Sequence, residues 1–123
     1  MSKGTALLIG VLSALVYAAP CYAETEKAKV FLDGNRLFEL CDDNAPGYKQ
    51  DGCLGYVLGA TDVALSGSSG GQRIGLCVPP NVTAAQLRAI VVRYLRQHPE
   101  MWRYSAFNSV WRALADAFPC AKK

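Results

Sequence analysis

The residues with the strongest chemical potential in this chain are a serine in a glycine-rich run, a single histidine and five cysteines. Ser69 lies in Gly67-Ser68-Ser69-Gly70-Gly71, which has the Gly-x-Ser-x-Gly spacing of a nucleophile elbow. An elbow needs a strand before it, a helix directly after it, and a histidine base oriented by an acid. Here a helical pattern precedes the run and Pro79-Pro80 follows it, so the segment reads as a flexible Gly/Ser loop. A hydrolase using Ser69 is the weakest of the functional readings. Metal chemistry fares no better. No two cysteines stand at the close spacing of a zinc knuckle, and His98 lies far from any paired ligand, so neither metal nor cofactor is expected.

Binding chemistry has better material. Trp102-Arg103-Tyr104 combines the residue types that dominate interface hot spots, although Trp102 would equally serve to cover the end of a helical bundle. Asp62 interrupts an apolar helical pattern and reads as a half-buried carboxylate with a hydrogen-bond partner. Asp42-Asp43 reads as a solvated helix end, poorly placed against the helix dipole. Asn81-Val82-Thr83 matches a glycosylation sequon, but helix capping accounts for it fully.

The elements that must hold these residues are helical. Asp33 caps a first helix running to about Asp43, with Leu37, Phe38 and Cys41 on one side, and Asn44-Ala45-Pro46-Gly47 turns the chain. A second helix runs from near Asp51 to Leu65, because Leu54, Val57, Leu58, Thr61 and Leu65 recur at steps of three and four. Gly55 and Gly59 share a face of it, which implies close packing of another backbone there. Thr83-Ala84-Ala85-Gln86 is a capping box that opens a third helix, with Val82 as a staple to Leu87 and Arg88, Arg96 and Gln97 on the wet side. Leu87, Ile90, Val91, Tyr94 and Leu95 form its apolar face, and His98-Pro99 closes it. A fourth helix, capped by Ser105, presents Phe107, Val110, Trp111, Leu114 and Phe118 before Pro119. The predicted fold is an all-α, four-helix domain, with a strand pattern only at Lys29 to Leu32.

This layout selects among the cysteine pairings. An antiparallel hairpin of the last two helices brings Cys77 to Cys120, and a hairpin of the first two brings Cys41 to Cys53. The domain is therefore two disulfide-closed helical hairpins. On loop length alone the bridges contribute about 3 and about 4 kcal/mol, which ranks Cys77-Cys120 above Cys41-Cys53.

The N-terminus supplies the compartment in which such bridges persist. Lys3, the apolar run Ala6 to Ala19 and Cys21-Tyr22-Ala23 follow the order of an export signal, too short to span a bilayer. Pro20 before Cys21 disfavours a lipoprotein. Residues 1–23 are thus read as a signal peptide cleaved after Ala23, and residues 24–123 as one periplasmic domain with four cysteines and no membrane association. Loss of Lys3 lowers the formal charge from +3 to +2, which leaves no basic excess for nucleic acid.

One resemblance covers nearly all of the mature chain. Asp33 to Cys41, Cys53 to Asp62, Cys77-Val78-Pro79-Pro80, Val82-Thr83, Gln86-Leu87, Val91-Val92, Tyr94-Leu95, His98-Pro99 and Ala117-Phe118-Pro119-Cys120 resemble the Rap/Tai family of type VI secretion immunity proteins. That resemblance implies a small periplasmic helical protein that binds and blocks a peptidoglycan-cleaving amidase toxin, often as a homodimer, with no catalysis of its own. The candidate contact is the segment Ser66 to Leu76, including Ser68, Ser69 and Arg73, with Trp102 and Tyr104 as the next surface. A competing expectation is a general periplasmic binding or chaperone-like protein without a dedicated toxin.

Intact-mass measurement of the exported protein checks the processing. The expected product begins at Glu24, and a soluble product that retains residues 1–23 would refute the export reading.

Overall fold

The computed structural model describes residues 29–66 and 75–122. Four α-helices follow in order, α1 (Gly34–Leu40), α2 (Gly47–Leu65), α3 (Ala84–Gln97) and α4 (Ala106–Ala117), with a 3-10 helix at Pro99–Arg103. No strand forms among the described residues. Two isolated antiparallel bridges, Asp33 with Ser105 and Leu76 with Pro119, stand outside the helices.

Local chemistry accounts for the starts. The carboxylate of Asp33 accepts from the Arg36 amide at 2.9 Å, and the hydroxyl of Ser105 accepts from the Asn108 amide at 3.3 Å. At α3 both halves of the capping box are made, with the Gln86 amide donating to Thr83 Oγ1 and the Thr83 amide donating to Gln86 Oε1. The start of α2 departs from expectation. It begins at Gly47 rather than near Asp51, because Pro46 takes the N-cap position and supplies its carbonyl to the amides of Lys49 and Gln50. The end of α1 also comes early, at Leu40. Its terminal carbonyls are then met from a distance, where Arg88 of α3 donates to the Cys41 carbonyl at 3.0 Å and to Asp43 at 3.3 Å. Arg88 is therefore a tie between hairpins rather than a wet residue, and Asp43, which also pairs with Arg96 at 3.6 Å, is its anchor rather than a bare solvated carboxylate.

The core lies where all four helices meet. Leu37, Val57, Leu76, Val91, Leu95, Val110 and Leu114 are essentially fully buried, and α3 with α4 forms the most extensive helix pair. Ile90 and Tyr94 are only partly buried, and Val92 takes a buried place on α3 instead. On α4 the buried face is Ala106, Ser109, Val110, Ala113 and Leu114, so Phe107 is turned outward. Two further expectations are overturned. Asp62 is exposed, and the buried polar residue of α2 is its neighbour Thr61, whose hydroxyl donates to the Val57 carbonyl at 2.7 Å. A Cβ at Gly55 or Gly59 would meet nothing within 4 Å among the described residues, so none of their backbone packs against that face. The segment Lys29 to Leu32 is not a strand, although the Leu32 carbonyl accepts from the Ala106 amide at 2.9 Å.

Both disulfides are present as the hairpin layout requires, Cys41–Cys53 and Cys77–Cys120, each with Cα atoms 5.0 Å apart. Burial reverses their ranking by loop length. Cys41 and Cys53 are fully buried at the core, whereas Cys77 and Cys120 are only partly covered. Replacing the first pair by serine places two hydroxyls where water does not reach, at about 1–3 kcal/mol each, against a loop-length difference of about 1 kcal/mol. The double variant Cys41→Ser/Cys53→Ser is accordingly expected to unfold at lower urea than Cys77→Ser/Cys120→Ser. The opposite order would show that loop closure outweighs burial.

Candidate functional site

The 3-10 helix decides what the chain offers to a partner. Its tight turn sends consecutive side chains of Trp102, Arg103 and Tyr104 in different directions. Trp102 is turned into the scaffold, with its indole N–H donating to the Leu95 carbonyl at 2.9 Å and its ring stacked on Phe38 at 4.9 Å. It caps the end of the bundle. Arg103 and Tyr104 are turned outward, with the guanidinium 5.1 Å from the Tyr104 ring centroid and donating to its hydroxyl at 3.2 Å. Sequence proximity thus grouped three residues that the structure divides between core and surface.

Tyr104 lines a cleft of about 490 Å³ between the end of α3, the 3-10 helix and α4. Met101 is buried beneath it, and Tyr94, His98, Asn108 and Arg112 share its wall. The ring of His98 stacks on Tyr94 at 4.3 Å, and its Nδ1 lies 2.8 Å from Glu100. An ionised carboxylate only accepts, so Nδ1 carries the proton of that bond. The contact holds the Glu100 carboxyl below its ordinary value of 4.5. Burial pushes the Tyr94 phenol above 10.0, with Asp116 adding to the rise and Arg112 opposing it, so it remains a neutral hydrogen-bonding group in the physiological range. Arg112 is held by Asn108 Oδ1 at 3.2 Å and lies 5.8 Å from the Trp111 ring centroid.

A second, apolar groove of about 360 Å³ runs along the open face of α2, lined by Gly55, Tyr56, Gly59, Ala60, Val63 and Phe107. Val63 is 64 % and Phe107 38 % exposed, so both present hydrocarbon to solvent. Neither groove was legible from residue types. The outward turn of Phe107 left no signal in the spacing, since position 107 stands three residues before Val110 and seven before Leu114 and so falls on the same stripe by period.

The remaining candidates separate cleanly. Cys41, Cys53, Cys77 and Cys120 are all consumed in the scaffold. Ser68, Ser69 and Arg73 lie outside the described residues, as does residues 1–23 with its expected cleavage point. The described ends of the loop are well placed. Leu76 is fully buried and pairs with Pro119, the Cys77 amide donates to the Phe118 carbonyl at 2.9 Å, and Gly75 takes a φ of 72° that favours glycine. Among the described residues no group of three His, Cys, Asp or Glu side chains is gathered as a metal site, and no helix is long and apolar enough to cross a membrane.

The His98–Glu100 contact gives a measurable handle on this end of the bundle. Its contribution is full above the ordinary glutamate range and is lost as pH falls through the lowered folded value. In His98→Ala the Glu100 carboxyl is expected to titrate at higher pH than in the parent protein by NMR, and an unchanged titration would show that the histidine does not hold it.

Comparison with known proteins bears on the whole of this architecture. The profile of the Rap1a immunity proteins matches residues 33–120. No curated protein and no solved structure matches the chain. The profile match runs from the N-cap of α1 to the last cysteine of the second bridge and so takes in all four helices and both disulfides. On that extent the chain belongs to the Rap1a immunity protein family.

Proposed function

We propose that this chain is exported to the periplasm, is cleaved after Ala23, and there binds and blocks a peptidoglycan-cleaving amidase delivered by type VI secretion. The observation that carries the reading is the family match over residues 33–120. The two disulfides support it, because such bridges persist in oxidising compartments and are rare in reducing ones. Inhibition is by occlusion. The protein acts as a rigid plug, and the chemistry it opposes belongs entirely to the partner.

The segment Ser66 to Leu76, with Ser68, Ser69 and Arg73, is assigned to the contact. Its described ends are fixed by the α2 cap at Ser66 and by the buried Leu76, and a loop held at both ends loses less conformational freedom on binding than a free tail. Arg73 adds a fork-shaped donor suited to carboxylates. The self-association implied by the resemblance has an apolar face open to it around Val63 and Phe107.

The decisive experiment pairs the purified chain with candidate type VI secreted cell-wall amidases and measures both affinity and cell-wall hydrolysis. Tight binding with loss of hydrolysis is expected, and an amidase that remains fully active beside saturating protein would reject the function. Arg73→Ala combined with shortening of Gly67 to Gly71 is expected to weaken binding without lowering thermal stability. Unchanged affinity would make the loop a connector.

A further inference from the structure

We infer that the cleft between the end of α3, the 3-10 helix and α4 is a docking site for an acidic segment of the protein partner, read by the guanidinium groups of Arg103 and Arg112. The inference rests on the proposed function and adds a second contact to it, away from the loop.

Both arginines are exposed on the cleft wall, and neither has a carboxylate within ion-pair distance among the described residues. Both are nonetheless positioned. Arg103 is held over the Tyr104 ring and on its hydroxyl, while Arg112 is held near Trp111 and by Asn108. An arginine steadied by an aromatic face retains unused N–H donors in a planar fork, which matches a carboxylate edge and loses little freedom on pairing. The cleft's own acids do not fill that demand. Glu100 is taken by His98, and Asp116, one turn beyond Arg112, makes no ion pair with it.

The shape favours an extended peptide segment. The cleft continues into a smaller furrow of about 160 Å³ between α3 and α4, and the two share Tyr94, His98 and Asp116. Arg93 lines that continuation, so three arginines face two carboxylates along the whole groove. The excess is positive even with His98 neutral. Tyr94 and Tyr104 add flat apolar surface with polar tips, the composition found where few residues carry most of the binding energy.

The test uses the full mature chain, the cognate amidase and, independently, an acetylated and amidated tetraglutamate peptide. Arg103→Ala and Arg112→Ala are each expected to weaken amidase binding by roughly 30-fold with an unchanged melting temperature. Arg103→Lys/Arg112→Lys retains charge without the fork and is expected to recover only part of the loss, which keeps the test valid if an alanine variant fails to fold. Tetraglutamate should shift the NMR signals of Tyr94 and Tyr104 in the parent protein and leave them unmoved in Arg103→Ala/Arg112→Ala. Parent-like amidase affinity in the folded double variant overturns the inference, as does silence of those signals towards tetraglutamate. A purified muropeptide that moves them where tetraglutamate does not overturns it in favour of a cell-wall ligand. The two readings fail separately. Loss of affinity from loop variants alone leaves the function standing and removes the cleft, whereas tetraglutamate binding by a chain that no amidase engages leaves the cleft and removes the function.

Discussion

The place where α1 and α4 begin governs the rest of the molecule. The amide of Gly34 donates to the Tyr104 carbonyl at 2.8 Å and the amide of Ala106 donates to the Leu32 carbonyl at 2.9 Å, so two helices far apart in sequence start from one short antiparallel bridge. The approach is close enough to exclude a side chain. A Cβ on Gly34 would stand 2.7 Å from the Met101 carbonyl oxygen and 2.8 Å from the Trp102 Cα, both backbone atoms that cannot swing aside. With the chain pinned there, the 3-10 helix has a fixed orientation, Trp102 is pressed onto Phe38, and Arg103 and Tyr104 face solvent. The surface chemistry is thus a consequence of a glycine contact in the scaffold.

At the opposite end the same problem is solved covalently. Cys77–Cys120 and the bridge between Leu76 and Pro119 close the second hairpin, and Cys41–Cys53 closes the first. A domain of this size buries a modest core, and net stability of about 5–15 kcal/mol leaves two bridges of about 3–4 kcal/mol each a large share. Arg88 then joins the hairpins across the interior by meeting the Cys41 carbonyl, which the short α1 leaves without a helical partner. Rigidity at both ends suits the proposed occlusion, since a plug that deforms would surrender part of its binding energy to ordering.

What was legible in the sequence follows from which interactions are local. Caps are local, and Asp33, Thr83 with Gln86, and Ser105 all form as their spacing requires. Cysteine pairing was legible because hairpin ends must meet. The start of α2 was missed because Pro46, which ends one element, also fits the N-cap of the next through its own fixed φ of −59°. Arg88 and Asp43 were misread because their contact crosses 45 residues and leaves no periodic trace. The glycines of α2 misled for a different reason. Gly55 and Gly59 cost about 1 kcal/mol each against alanine, and among the described residues no neighbour offsets this, since none stands within 4 Å of where a Cβ would lie. The candidate site was legible only as a tripeptide of suitable residue types, because the division of Trp102 from Arg103 and Tyr104 depends on the Gly34 contact.

Leu76, a described end of the Ser66 to Leu76 segment, and the cleft lie at opposite ends of one hairpin. Leu76 and Cys77, which end the loop, pair with Pro119 and Phe118 after α4, whereas Tyr104 and Ser105 of the cleft end precede it. A helix of 12 residues separates them, a rise of about 18 Å. That distance lies within the reach of a standard protein interface, which buries about 800 Å² on each partner. Because α4 is stapled at its far end and pinned at its near end, the spacing between Leu76 and the cleft is set by a rigid rod. Under the proposed mode of binding, a partner that engages both surfaces must present complementary features at that same separation, whereas one that fits only the Ser66 to Leu76 segment forfeits the arginine pair. Specificity can therefore reside in the spacing as well as in the chemistry at each end.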